Sequence, residues 1–518
     1  MEYDRDVDGS IQFSETYAYD ANGNQTLHER DDDGDGNVDD RYIYAYDADG
    51  RRISRISALG ISTRYEYDAL GRRIALTRND DDALPADHQT NVRTEYGYDL
   101  AGNLIRLSNP LGYAAEFRYD AAHRRTEAKD FEGGSTLYSY DKVDNLLSIT
   151  DAEGNPTLYQ YDDLNRRIRT TNAEEESTGF AYDLMGNRIQ RVEADGTVTL
   201  YEHDGVYRLK RVTENFQPDQ APANDVNKTT RYSYDARGLL IEIINANKAA
   251  TGFAYNGVGN LIEEINPLGK TWSYTYDGMG NRISRKDGKG ALTEYAFYPD
   301  DLLQSIAYSD GTAVSYAYDA DNRRIQMNDQ LGETRWSYDP LNRITGQNDP
   351  FNRVLASSYD AASNRTGITY PDGNQVDYAY SPNNWLQRMT VRARHAVPQQ
   401  TEYSRDPVGN VTGIVNPNQT ETAIEYDRVY RTIRRGTARR APARTVVSFA
   451  YTYNEVGHIT RAVKEYGRRK PSVVTETYEY DGLHRLAYMS LFPLRNNGGM
   501  VETAYSYDPA GNRLSWES

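Results

Sequence analysis

The chain contains no cysteine, so it has no disulfide, no thiol nucleophile and no Cys-ligated zinc. No stretch approaches the ~20 consecutive apolar residues of a membrane-spanning helix. The opening Met-Glu-Tyr-Asp-Arg-Asp is acidic and lacks the apolar run of a signal peptide. Phenylalanine is scarce, with 10 residues in 518, and mean hydropathy is −0.82. A thick aliphatic core is therefore not expected. The net charge of −18 repels phosphates and argues against a general nucleic-acid partner.

What is abundant is tyrosine, at 45 residues, together with 40 glycines. A side chain with an apolar ring and a polar tip suits thin sheets with one damp face. Charge is unevenly placed. Residues 1–50 hold 15 acidic and 3 basic side chains, whereas residues 390–470 hold 15 basic and 7 acidic. Solvated loops account for this; two interaction surfaces, one for cations and one for acidic partners, are the sharper alternative.

Internal repetition decides the fold class. Tyr98, Tyr119, Tyr140, Tyr161, Tyr182 and His203 are spaced by 21 residues, as are Tyr234, Tyr255 and Tyr276. We count twenty-two such cores from Tyr19 to Tyr507, and fourteen of the twenty-one intervals are 20–22 residues long. Intervals of 25, 27 or 31 read as insertions in connecting loops. Tyr holds the anchor in twenty cores, with His203 and Arg405 the exceptions, and nineteen cores carry an aromatic two residues earlier. Period two is the strand period, so both rings share a face and are expected to stack as cross-strand ladders.

The residue after the anchor is Asp in eighteen cores and Asn at Asn256 and Asn454. A short carboxylate there accepts a backbone hydrogen bond and starts a turn. Four positions after the anchor stands Gly in eleven cores, Asn at Asn165, Asn322, Asn342 and Asn384, and Asp144, His123 or His484 in three more. These eighteen residues best tolerate positive φ, as the left-handed position of a short hairpin requires. Ile53, Ile74, Ile105, Ile168, Ile189 and Ile241, seven positions on, mark the returning strand. One repeat is one hairpin, and neighbouring hairpins must pair. The expected fold is all-β: a tandem array over residues 1–518, with acidic connectors in residues 1–45.

Segments such as Tyr-Gly-Tyr-Asp-Leu-Ala-Gly-Asn-Leu at 96–104 and Tyr-Thr-Tyr-Asp-Gly-Met-Gly-Asn-Arg-Ile at 274–283 resemble the YD repeats of the Rhs family. The resemblance runs along essentially the whole chain. It implies a spiral sheet, solenoid or partial hollow shell, as in bacterial Rhs-type polymorphic toxins, the B–C components of Tc toxins and the teneurin barrel. It further implies a secreted or bacterial-surface location and a C-terminal toxin or effector as cargo. The chain ends inside a repeat at 507–518 and shows neither the expected self-cleavage junction nor a toxin. Cargo, or further chains completing the shell, is thus expected from elsewhere. The alternative is an adhesion or carbohydrate-binding module, since exposed rings stack on glycans.

Enzyme chemistry finds little footing, and the expectation is a non-catalytic chain. Gly269-Lys270-Thr271 ends like a phosphate-binding loop, but Glu264 occupies the earlier glycine position. The seven histidines are scattered. Residues 79–91 and 215–228 read as polar loops that tolerate length change, and 434–444 as a basic solvated loop.

One motif points to a cofactor. Asp4, Asp6, Asp8, Gly9 and Glu15 match the calcium-loop pattern D-x-D-x-D-G-x5-E, and Asp31, Asp33, Asp35, Gly36 and Asp39 nearly repeat it. Tyr42 stands where the first loop has Glu15, so the second lacks the bidentate ligand. Calcium sites and plain acidic connectors both fit. If calcium binds, calorimetric titration gives one stronger and one weaker site, and the melting temperature rises with free calcium. No heat at millimolar calcium with unchanged melting returns both loops to acidic connectors.

Overall fold

Backbone pleating sends alternate side chains to opposite faces, and a carboxylate placed just after an aromatic pair ends the strand in a turn. That unit is what the chain repeats. The computed structural model describes residues 2–4, 11–31, 38, 40–467, 472–493 and 500–517. Forty-five strands and no helix occur among these residues. The chain is all-β, built of tandem antiparallel hairpins.

The hairpin of strands Ser62–Tyr67 and Arg73–Arg78 shows the pattern. Tyr65 faces Leu76, Glu66 faces Ala75 and Tyr67 faces Arg73, so the returning strand steps by one extra residue at the anchor. Asp68 N donates to Arg72 O at 2.9 Å, and Gly71 N donates to Asp68 O at 3.0 Å. The fourth residue after the anchor has positive φ in every core, from 60° at Asn165 and Asn322 to 96° at Gly409, with Gly71 at 79° and Gly102 at 92°. The bias towards Gly, Asn, Asp and His was thus a correct signal of backbone shape. Tyr207, Ser363 and Tyr430 adopt the same conformation at φ 68°, 69° and 68° despite side chains that disfavour it.

Three expectations need correction. First, the anchor of the core between Tyr276 and Tyr318 is Phe297. It pairs with Leu303 where the register steps, which moves Tyr298 into the turn and Asp301 into the left-handed position at φ 66°. Second, most 27-residue repeats lengthen strands rather than loops. Arg444–Tyr453, Ile459–Tyr466, Ser472–Tyr480 and Leu486–Pro493 have 10, 8, 9 and 8 residues, against 5 or 6 in the 21-residue repeats. Third, among the described residues the equivalent rings of successive repeats do not stack directly on one another along the array. Each repeat contributes two strands, so equivalent rings lie two strand spacings apart, roughly 9.5 Å. The guanidinium six residues after the anchor fills the gap: Arg52 lies over Tyr44 at 5.6 Å and over Tyr65 at 5.3 Å, and Arg324 over Tyr316 at 5.5 Å and over Trp336 at 4.6 Å.

The chain forms two compact units, one joining Met1–Gly133 to Trp272–Gln400 and the other Gly134–Thr271 to Thr401–Ser518. Within each stretch, strands consecutive in sequence pair antiparallel, as from Ala114–Tyr119 with Arg125–Lys129 to Val501–Tyr507 with Arg513–Glu517. The interior is thin: Ala75, Val92, Ala462 and Thr77 are among the few residues nearly devoid of exposure.

Gly102 has open space where a Cβ would sit, so its whole constraint is backbone. Gly102→Val is expected to destabilise its hairpin by about 1 kcal/mol or more through forced strain. Hydrogen exchange of 96–108 reads this directly; unchanged protection there would refute it.

Candidate interaction surfaces at the seams and turn rims

Each turn is wired to the next repeat. Asp68 Oδ1 accepts from Leu70 N at 3.0 Å and from Arg72 N at 2.9 Å, while Arg72 Nε donates to Asp68 Oδ2 at 2.7 Å. The far side of that guanidinium donates from Nη1 to Asp99 O at 2.7 Å and lies 4.9 Å from the centre of the Tyr98 ring. Tyr98 reaches back, its phenol donating to Arg73 O at 3.0 Å. Arg166, Arg323 and Arg485 repeat the forward contact onto Asp183, Asp339 and Asp508. Where Asn replaces Arg the link is shorter: Asn145 Nδ2 donates to Asp141 Oδ2 at 2.8 Å and to Asn165 Oδ1 at 2.9 Å. The sequence reading missed this fifth position after the anchor, although Arg or Asn fills eighteen of the twenty-two.

The hairpins leave two rims, one of anchor turns and one of connectors. In each unit the connectors of the first stretch meet the anchor turns of the second. In the first unit Ser57 Oγ donates to Asp321 Oδ2 at 3.0 Å, Phe131 N donates to Asn383 Oδ1 at 3.0 Å, and Arg30 Nη2 donates to Pro299 O at 3.3 Å. In the second, Arg428 N donates to Glu174 Oε1 at 2.9 Å and Arg431 Nη1 pairs with Glu176 Oε1 at 2.8 Å. Tyr430, one of the left-handed tyrosines, donates its phenol to Asp151 and accepts from Asn155 Nδ2 at 3.0 Å. Burial and then the Asp151 bond hold that phenol well above the usual tyrosine range.

Residues 79–91 and 215–228, read as tolerant loops, contain two copies of one ordered device, framed by Asn79 with Asn91 and Asn215 with Asn227. Asn91 Nδ2 donates to Asp81 O and Leu84 O, both at 2.8 Å, and Asn227 Nδ2 donates to Gln217 O at 2.9 Å and Gln220 O at 2.7 Å. Each loop presents a carbonyl to an anchor-turn arginine: His88 O accepts from Arg343 Nη2 at 3.0 Å, and Asn224 O from Arg485 Nη2 at 2.9 Å. The signal available in sequence was the pair of flanking asparagines, Asn79 with Asn91 and Asn215 with Asn227, the same distance apart in both.

Exposure records the seam. In the second unit, tips of the first-stretch turns stand free: Leu164 and Met185, three residues after their anchors, are both 65% exposed, and Leu184 beside Met185 is 98% exposed. Val429 and Leu483, the second-stretch equivalents of Leu164 and Met185, are half-buried.

Of the proposed calcium ligands, Asp6, Asp8, Asp33, Asp35 and Asp39 lie outside the described residues, as does the side chain of Asp4. Glu15 Oε2 accepts from the Tyr17 phenol at 2.7 Å, and its Oε1 lies 3.4 Å from His28 Nε2. Asp31 is buried and faces Ser14 across the ladder, next to Glu15. Among the described residues no three acidic or histidine side chains cluster as metal ligands do. No helix among them is long and apolar enough to cross a membrane.

The RHS repeat model matches residues 46–83, 93–135, 140–177, 255–292 and 338–375. The chain therefore carries RHS repeats over these five stretches. No curated protein gives a significant match to its sequence. Among solved structures, the crystal structure of TcdB2-TccC3 aligns with 97% of the RHS-repeat chain at TM-score 0.68 and 14% identity. That of TcdB2-TccC3-Cdc42 aligns with 99% at TM-score 0.53 and 14% identity. The RHS-repeat chain spans about a third of the solved chains it matches, 34% and 33%. At such identity the likeness is one of fold.

The seam of the second unit carries a titratable contact. His484 Nε2 lies 2.8 Å from Asp195 Oδ2, and the His458 ring is 5.3 Å from that of His484. Burial, then His484, hold the His458 imidazole below its ordinary range. Folding therefore favours neutral His458, and its contribution is lost as pH falls below the unfolded value of about 6.5. Asp195 is raised by burial but held lower overall by the bonds from Thr197 and His484, so its contribution fails only in stronger acid. The RHS-repeat chain should melt at lower temperature at pH 5 than at pH 7, and His458→Gln should flatten that slope. An identical pH profile in the variant would contradict the assignment.

Proposed function

We propose that the chain is a length of structural shell wall in a secreted or surface-located bacterial RHS-type protein, which encloses or presents a toxin or effector domain carried elsewhere. The carrying observation is the seam. In both units connectors of one stretch seat on anchor turns of another 252 to 289 residues away, as in Phe131 with Asn383 and His484 with Asp195. Such a contact stacks successive runs of hairpins into a surface wider than any one strand is long. The TcdB2-TccC3 fold likeness and the RHS repeats support the same role. The uncovered tips Leu164 and Leu184 are where a further run of connectors, from another chain or another stretch of repeats, would seat.

The rings favour wall over glycan binding. Tyrosine phenols are committed to neighbouring carbonyls, as Tyr67 to Arg52 O and Tyr119 to Leu104 O, and ring faces to guanidinium groups. A cleft for sugars needs those faces free.

The test is protection. A small folded reporter fused behind Ser518 is digested with a non-specific protease, beside the same reporter on an unrelated carrier of equal length. The enclosing role predicts at least a tenfold longer half-life on this chain. Protection should weaken when Leu164, Leu184 and Val258 are replaced by Asp while the melting temperature holds. Equal cleavage rates on both carriers would overturn the enclosing role.

A further inference from the structure

In the first unit the seam leaves a half-open cavity of roughly 280 Å3. Its lining includes Arg55, Arg78, Ser57, Thr63, Asp321 and Asn342. Arg78 is the last residue of strand Arg73–Arg78, so its half-buried side chain is placed where the strand meets the ordered loop 79–91. Among the described residues it has no ion pair or side-chain hydrogen bond. The nearby cation Arg343 is already held by Asp339, with Arg343 Nε donating to Asp339 Oδ2 at 2.6 Å. Burial and then the like charge of Arg343 disfavour the charge on Arg78. A guanidinium does not shed its proton, so it must find an anion or water.

The second cation, Arg55, lies over the Tyr42 ring at 4.6 Å and hydrogen-bonds that phenol, and among the described residues it has no carboxylate partner. Asn342 Oδ1 accepts from Arg323 Nη1 at 2.9 Å, which leaves its amide nitrogen as a donor. One carboxylate lines the same space. Asp321 Oδ2 accepts from Ser57 Oγ, while its Oδ1 finds no donor in the protein. A second carboxylate, Asp40, lies close enough to Asp321 for its own charge to be disfavoured, after burial, by that neighbour. The cavity thus offers two guanidinium groups that have no carboxylate partner among the described residues, and beside them a carboxylate whose buried second oxygen lacks a donor.

We propose that this cavity is a binding site for a phosphate group, free or as the ester of a small metabolite, with Arg78 and Arg55 on its charged oxygens and Asp321 accepting the hydrogen bond of a protonated or ester-borne hydroxyl. The carboxylate sets the selectivity. Sulfate carries no proton near neutral pH and would face Asp321 with a bare oxygen, so phosphate is preferred. Because the lining comes from residues 42–79 and 321–342, an occupied site ties the two stretches of the unit together.

The experiment is titration of the full chain with inorganic phosphate, sodium sulfate and glucose 6-phosphate at fixed ionic strength, read by calorimetry and melting. Saturable binding of phosphate or of the ester, at least tenfold tighter than sulfate, is expected. Arg78→Met should weaken it at least tenfold without lowering the melting temperature in phosphate-free buffer, since it removes an unpaired buried charge. Arg78→Lys should restore part of the affinity, and Asp321→Asn should narrow the preference over sulfate. General salting effects act on every variant alike, and exposed Arg237→Met serves as the control. No saturable binding of either phosphate compound, or an undiminished response in Arg78→Met, would overturn the proposal. Equal affinity for sulfate would overturn the role of Asp321.

Discussion

Everything in this chain depends on a carboxylate closing a turn. Asp68 and its counterparts satisfy two backbone donors with one oxygen and fix the following guanidinium or amide with the other. Without that bond the left-handed residue loses its partner geometry, and the arginine loses the position from which it reaches the next repeat. The pairs are mostly part-exposed, as Arg72 and Asp68 are, so each contributes little as an ion pair alone. Their weight comes from geometry: one side chain organises a turn, a strand end and a neighbour at once. Arg343 with Asp339 is the buried extreme, at 8% and 4% side-chain exposure, and lies where the ordered loop 79–91 also docks.

The thin interior follows. With two strands per repeat and few bulky residues buried, the array has no central core to lose. Cohesion comes from phenol-to-carbonyl bonds, guanidinium stacking on rings, and hydroxyl pairs such as Ser139 with Ser148 at 2.6 Å and Thr477 with Ser490 at 2.6 Å. Tyrosine rather than phenylalanine is favoured at the anchor because its hydroxyl bonds a neighbouring carbonyl, as Tyr67 does to Arg52 O. Phe297, lacking that hydroxyl, sits beside Tyr298, whose phenol donates to Tyr316 O at 3.0 Å and whose ring meets Tyr318 edge-on at 6.2 Å.

The repeat, the hairpin and the left-handed residue were legible because each rests on local chemistry: Asp accepts, Gly and Asn turn, alternating rings face one way. The shift from Tyr298 to Phe297 was missed because the tyrosine and the phenylalanine are adjacent, and only strand register separates them. Ring ladders were wrongly expected because a one-dimensional reading does not count the strand lying between two rings. The seams were out of reach, since nothing in Asp151 or Tyr430 alone says that two residues 279 positions apart meet. The loops at 79–91 and 215–228 hid for another reason: their composition is that of a solvated segment, and only the matched asparagines betray order. The acidic motif around Asp4 and Asp31 was plain in sequence, and only Glu15 and Asp31 have described surroundings.

The wiring between repeats has a direction. The anchor phenols that bond a backbone carbonyl reach to a strand already made, as Tyr98 does to Arg73, whereas the turn arginines that bond a neighbouring turn reach to one still to come, as Arg72 does to Asp99. A ribosome delivers the chain in that same order. A hairpin leaving the exit tunnel therefore finds its carbonyl acceptor waiting and a guanidinium already in place to receive it. The array is made to grow by accretion from one end, like courses laid in brickwork, and its two ends are chemically different surfaces.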